Sequence, residues 1–440
     1  MRNFSPSSFN HDHREALARA GAAVAKDPQA LFTDFQWFLF TGRDTIFFTA
    51  FSAHGFDKEQ LKGFVRQMVD LAPQLTLGFV GARPGEPLTE SQIDAITSVR
   101  EVDSFEDYPD GWLSESADIF EHADLPLFRV MVANRISGPD PQGRASVVQV
   151  RAAHALLEGS DSALMMRSQL AAHGIMSDKS RKVAVGRRAR GVWGGLLIAL
   201  PHLLFAHLLS PPERQTHFRT LALPRERVRR LATRFGVGQR AMYFALVTFA
   251  LFREAGRRRN KDAVVAYYTM LDSERHAADD DFFRVRTLSV RFPMHADFAD
   301  YVRGVDEAMH AVEKQDTHRV QMAVNAMFST HRALHRLAPW LYGPRFWRFR
   351  GRTDIVLTMV PPHYAMGPLT EWTVEPIYVG AFHPSSNICT FCPGREYMTI
   401  SFALGKAGTD KVDEIVALIA RAEAMDVAPA PAGMAAAGED

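Results

Sequence analysis

The chain has 440 residues, 47% of them hydrophobic, which is enough to bury a large core and long for a single domain. Lysine and arginine total 51 against 50 aspartates and glutamates, so no global charge selects a nucleic acid. Two cysteines exclude a disulfide framework, and no cationic start followed by an apolar core opens the chain, which leads us to expect a cytoplasmic protein.

From the N-terminus to about residue 170, helical and strand patterns alternate. Ile46–Phe51 is rich in aromatic and β-branched residues and predicts a strand. Asp57 then stands as an N-cap with Gln60 three residues on. Leu61, Phe64, Val65, Met68 and Leu71 follow at helical spacing, and Pro73 ends the run. Residues 82 to 122 are polar and carry Pro and Gly, with weak signals. Strands are predicted near Leu127–Val132 and Ser146–Ala152. In the second, Val148, Val150 and Ala152 share one face, and Gln149 and Arg151 the other. That strand runs into His154, with Glu158 four residues on and Gly159 permitting a tight backbone path. Strand ends opening into loops are where folds present catalytic side chains, and neutral imidazole is suited to taking a proton near pH 7. Residues Ser160 to His173 read as the helix that leaves this motif.

Lys179 to Arg190 is strongly basic, and Gly191 to Pro212 holds no charged residue. Its length is near that of a membrane span of about 20 residues, but Pro201, His202 and His207 interrupt it. A basic cluster beside an apolar, Trp-containing segment suits binding to a membrane surface through 179–212. A hydrophobic crossover packed between two domains fits equally well. Beyond it, Pro224 opens a helix over Arg225–Phe235 that Gly236 closes, and an almost wholly apolar helix, Ala241–Phe252, is expected to be central. Val264–Leu271 predicts a strand, and helices follow at 297–313 and 317–338. Strands then come at Ile355–Val360, Val374–Phe382, Asn387–Phe391 and Tyr397–Ala403. A last helix over 410–424 places Val412, Ile415, Val416 and Ile419 on one face. The Ala/Pro-rich tail from 427 to 440 carries a disordered composition. Periodicity alone thus gives a mixed α/β protein.

Around these elements lie motifs that resemble the wax ester synthase/diacylglycerol acyltransferase family, which groups with chloramphenicol acetyltransferase-like enzymes and peptide condensation domains. The family signature His-His-x-x-x-Asp-Gly reads here Ala153-His154-Ala155-Leu156-Leu157-Glu158-Gly159. The second histidine is kept, the first is alanine and the aspartate is glutamate. Leu125-Pro126-Leu127-Phe128 is similar to the family's Pro-Leu-Trp strand entry, and Thr33–Leu39 to its N-terminal Asp-x-x-Phe-Leu opening. Leu357-Thr358-Met359-Val360-Pro361 occupies the place of its Ser-Asn-Val-Pro-Gly strand, with Met for Asn and Pro for Gly.

The resemblance implies two chloramphenicol acetyltransferase-like domains, 1–173 and 216–426, joined by a linker over 174–215, with an active-site channel between them. It implies an acyl-CoA-dependent O-acyltransferase acting on a lipid or fatty alcohol, with His154 as general base and acyl-CoA as co-substrate rather than cofactor. Glu158 would shape the motif loop by pairing with an arginine, Arg151 or Arg167 being near in sequence, and Asp161 could take the same part by a register change. Thr358 is a candidate oxyanion donor as well as an ordinary strand threonine. Two alternatives stay open: a condensation-type enzyme using a carrier-bound donor or an amine acceptor, and a homologue that binds lipid without chemistry. Location would be cytoplasmic, or peripheral on the inner membrane face. Cys389-x-x-Cys392 with His383 is short of a zinc ligand set, and strand packing is the simpler reading. The Arg257–Arg259 run reads as a solvated helix end, although coenzyme A phosphates would suit it.

Overall fold

Eleven strands among the described residues form two mixed sheets, and the chain exchanges one strand between them. The computed structural model describes residues 39–40, 43–71, 73–76, 87–106, 108–115, 119–120, 125–156, 216–258, 262–271, 285–313, 354–360, 373–383 and 386–425. The basic and apolar segment 179–212, the helices expected at 160–173 and 317–338, and the tail lie outside these residues.

The first sheet runs β2-β3-β4-β1-β9, built from β1 (Thr45–Ser52), β2 (Thr97–Val102), β3 (Phe128–Arg135), β4 (Ser146–Ala153) and β9 (Thr373–Phe382). Its outer face carries Ile46, Val130, Val132, Val148, Val150 and Ala152. Helix α1 (Lys58–Leu71) covers that face with Leu61, Val65 and Met68. The predicted start of α1 is present: the Asp57 amide donates to Gln60 Oε1 at 2.9 Å, and the Gln60 amide to Asp57 Oδ1 at 2.8 Å. The 82–122 stretch, weakly marked in sequence, contains helix α2 (Glu90–Ile96), β2 and helix α3 (Asp110–Glu115). Helix α2 passes straight into β2 between Ile96 and Thr97, so the hydrophobic period changes with no turn residue to announce it.

The second sheet runs β5-β11-β10-β8-β6-β7: β5 (Thr216–Pro224), β6 (Ala263–Leu271), β7 (Val285–Pro293), β8 (Ile355–Met359), β10 (Ile388–Pro393) and β11 (Tyr397–Gly405). Helices α4 (Arg225–Phe235), α5 (Gln239–Arg258), α6 (Phe298–Glu313) and, after one helical turn at Lys406–Thr409, α7 (Asp413–Ala424) share one core with Leu357, Cys389, Phe391, Ile400 and Phe402. Helix α5 is buried along Ala241–Leu251, as an almost uncharged run should be. Gly236 closes α4 in the left-handed region at φ 68°. On α7 the buried side chains are Ile415, Leu418, Ile419 and Ala422. Val416, expected on the inner face, is exposed, because the buried stripe turns toward 418 and 422. No single helix among the described residues is long and apolar enough to cross a membrane. The bent pair α4–α5 meets the length and composition criterion, but its apolar residues form this core.

Strand β9 is what joins the two halves. It pairs antiparallel with β1, Thr45 opposite Phe382 and Phe47 opposite Gly380. Its other edge lies against the second sheet, which satisfies it with side chains. Thr399 Oγ1 donates to the Ile377 carbonyl at 2.6 Å, and the Ala381 amide donates to Thr390 Oγ1 at 3.3 Å. The Glu375 carboxylate accepts from the amides of Arg395 and Glu396 at 2.9 and 3.3 Å. A bare strand edge is thereby paired without extending the sheet. Apolar packing follows the same seam: Phe218 of β5 meets Phe47 edge-on at 6.2 Å and Phe382 at 5.5 Å between ring centroids.

The Phe47 ring occupies the space over Gly380, where a Cβ would fall 2.0 Å from a ring carbon. The ring and the β1–β9 ladder cannot both stay in place around a larger residue. Gly380→Ala should lower stability by about 1–3 kcal/mol through overpacking. Urea unfolding followed by circular dichroism measures it, and an unchanged midpoint would show that the ring yields freely.

Candidate active site

Register brings three chain positions together. Thr45 lies opposite Ala153 of β4 on one side and opposite Phe382 of β9 on the other. The next residue outward on each strand is Asp44, His154 and His383. The Asp44 carbonyl accepts the His154 amide at 2.8 Å, continuing the ladder by one bond. The Asp44 carboxylate stands 3.3 Å from His383 Nε2. Asp44 and His383 are buried, at 3% and 0% exposure, while His154 is half-buried at the turn where β4 ends. Arg43 adopts φ 55° as the chain enters β1, and the Asp44 amide donates to the Leu39 carbonyl at 3.0 Å. Leu156 N donates to Ala153 O at 2.9 Å, so the chain turns directly after the histidine.

Sequence reasoning placed His154 at a strand end, and the structure has it there. Asp44 and His383 were not singled out as partners of His154. Each follows or precedes a legible strand by one residue, but only pairing of 45 with both 153 and 382 reveals that they meet. Glu158, Gly159 and Asp161 lie outside the described residues. Thr358 stands on the other sheet. It shares a strand face with Val356, which packs with Ile388, Ala403, Phe218 and Phe382 on the side turned toward the first sheet. Pairing sets Thr358 opposite Thr390, Thr390 opposite Ser401, and Ser401 opposite Thr220, a row of hydroxyl residues across the inner face. Ser401 is buried, and its Oγ has no hydrogen-bond partner among the described residues.

At one end of that row the halves meet through a carboxylate. Thr220 Oγ1 donates to Asp110 Oδ1 at 2.7 Å, and Arg219, which pairs with Asp413 at 2.9 Å, lies 3.8 Å from Asp110 Oδ2. Burial raises the Asp110 pKa above the usual carboxylate value, against the opposing Thr220 bond and Arg219 charge. Burial, with the Asp110 charge adding to it, also pushes the Tyr378 phenol up to about 12.

The two cysteines are buried in β10. Cys389 faces the helices with Phe391, and alternation turns Cys392 to the opposite face, so one ion or one disulfide cannot take both. Burial raises both thiols, Cys392 to about 12, which removes thiolate at neutral pH. Among the described residues no group of three His, Cys, Asp or Glu side chains is placed to hold a metal, and His383 turns to Asp44 instead.

No protein-family model matches the sequence, and no curated protein sequence matches it. Solved structures do match. A trichothecene 15-O-acetyltransferase from Fusarium sporotrichioides superposes with a TM-score of 0.57 at 11% identity, covering 87% of this chain and 91% of that one. The first condensation domain of the CDA synthetase gives 0.50 at 15% identity, over 94% and 96%. A wax ester synthase/diacylglycerol acyltransferase from Marinobacter aquaeolei VT8 gives 0.48 at 12% identity, over 87% and 92%. The first two matches show that the chain has the mixed α/β fold of that acetyltransferase and that condensation domain, the fold the motif resemblance implied, at low sequence identity.

The raised Asp110 pKa fixes the sign of a pH effect. Its contribution to stability is fully present below the unfolded carboxylate pKa, near 4, and is lost as pH rises through the higher folded value. Asp110→Asn removes this dependence and can still accept from Thr220. The variant should gain melting temperature relative to wild type at pH 7, and the gap should close toward about pH 4. A gap constant from pH 4 to 8 in thermal scans would contradict the assignment.

Proposed function

We propose that the chain is an acyltransferase that moves a long-chain acyl group from acyl-CoA to the hydroxyl of a lipid or fatty alcohol, with His154 as general base. The observation that carries the reading is His154 itself, half-buried where β4 ends and fixed through its amide by Asp44. The fold, shared with a named acetyltransferase and a condensation domain, supports it.

The chemistry needs one mobile proton. The imidazole takes the hydroxyl proton as the oxygen attacks the thioester carbonyl. The C–O bond forms, the C–S bond breaks, and the proton passes to the departing thiolate, releasing free coenzyme A. No enzyme nucleophile takes part, in keeping with two cysteines buried and held as thiols. Bringing donor and acceptor together supplies much of the acceleration. A donor for the tetrahedral oxyanion is still required, and Thr358, on the inner face of the second sheet, is our candidate. Glu158 or Asp161 would hold the motif loop. No cofactor enters the scheme. Segment 179–212 would let the enzyme meet acyl chains at the inner membrane surface, as a peripheral protein.

The condensation-domain likeness favours a second reading of the same base, with a carrier-bound donor or an amine acceptor. Thiol release with purified protein, palmitoyl-CoA or a carrier-bound acyl thioester, and a panel of alcohol, diacylglycerol and amine acceptors separates the two. His154→Ala should lose about 10²–10⁴-fold of acceptor-dependent release while keeping its melting temperature. Equal release by wild type and mutant, or none with any donor, would overturn the reading and favour a lipid-binding role.

A further inference from the structure

We infer that Asp44 and His383 form a positioning pair for His154, so that a histidine on the strand supplied by the C-terminal half sets the geometry of the base in the N-terminal half. This rests on the reading of His154 as the base. Two attachments of Asp44 bear on the site: its carbonyl holds the His154 amide at 2.8 Å, and its carboxylate faces His383 Nε2 at 3.3 Å. Moving one moves the other, because both leave the same residue. Asp44 lies one residue beyond the last β1–β4 rung, Thr45–Ala153, directly after Arg43 at φ 55°, with its amide bonded to the Leu39 carbonyl. His383 sits at the matching end of β9, where its carbonyl accepts from Ser386 N in a turn.

Burial gives the contact weight. Asp44 Oδ1 and His383 Nε2 are both withdrawn from water and approach to ion-pair distance outside hydrogen-bond geometry, so separating them would leave each polar group facing a low-dielectric surrounding. The pair is the contact through which we infer that His383 bears on the Asp44 main chain. His383 touches no reacting atom in this scheme. It acts through Asp44, and the junction makes the site depend on correct seating of β9.

Two substitutions test the reach of the side chain. Glutamine puts an amide nitrogen where the imidazole carries Nε2, whereas asparagine ends at the level of Nδ1 and falls short of Asp44. His383→Asn should lower kcat about tenfold or more, with KM for both substrates changed by less than about twofold. His383→Gln should restore kcat to within about threefold of wild type. A readout independent of turnover is the rate at which diethyl pyrocarbonate modifies His154, followed by peptide mass spectrometry. It should change in His383→Asn and return in His383→Gln. Wild-type kcat and modification rate in both variants, or losses in both that track melting temperature, would overturn the inference. His154→Ala, run alongside, reports on the base separately: an active His154→Ala refutes the proposed function whatever His383 does.

Discussion

Everything near the candidate site depends on β9 lying between two sheets. One edge makes an antiparallel ladder with β1 that shifts register between Ala50 and Phe51, and the other meets threonine hydroxyls of β10 and β11, while its own Glu375 accepts from amides of the β10–β11 hairpin. Such an arrangement is exacting. A strand edge left bare inside a protein would strand several amides and carbonyls away from water, each costing about 1–3 kcal/mol. The second sheet removes that cost with Thr390 and Thr399, residues whose short branched side chains both suit a strand and carry a hydroxyl. The close approach also explains Gly380, since the aromatic seam of Phe47, Phe218 and Phe382 needs the space a side chain would fill.

The exchange has a chemical consequence. It carries His383 from the C-terminal half to the end of the first sheet, one strand from Asp44 and two from His154. The polar groups of the junction thus come from distant parts of the chain, and the sheets face each other with unlike surfaces. The first presents aromatic rings and the Thr49–Gln149 pair, bonded at 3.2 Å. The second presents a row of hydroxyls beside a row of apolar side chains.

Much of this was legible in the sequence, for reasons that are local. Alternation of Val148, Val150 and Ala152 with Gln149 and Arg151 marks β4, and the strand end at His154 follows from it. The capping pair Asp57 and Gln60, and Pro224 with Gly236, mark helix boundaries by chemistry that acts within four residues. Strand β7 was missed, although Leu288, Val290 and Phe292 alternate as buried residues with exposed Ser289 and Arg291. What was not legible is non-local. Nothing in Thr373–Phe382 says that it pairs with β1 rather than with its neighbours in sequence, and so nothing joins Asp44 to His383. Likewise Gln149 and Arg151 read as a polar face, yet both are buried. The family motif reached the histidine; register was needed to find its neighbours.

The claim at the centre is direct transfer, with a histidine that moves a proton and no group on the protein that accepts the acyl chain. An initial-rate matrix tests it most directly, with acyl donor and acceptor varied together and free thiol as the readout. Direct transfer through one complex of enzyme and both substrates predicts intersecting reciprocal plots and no thiol release ahead of acceptor. Parallel plots, with a stoichiometric burst of thiol from donor alone, would mean a covalent acyl-enzyme and would contradict the account.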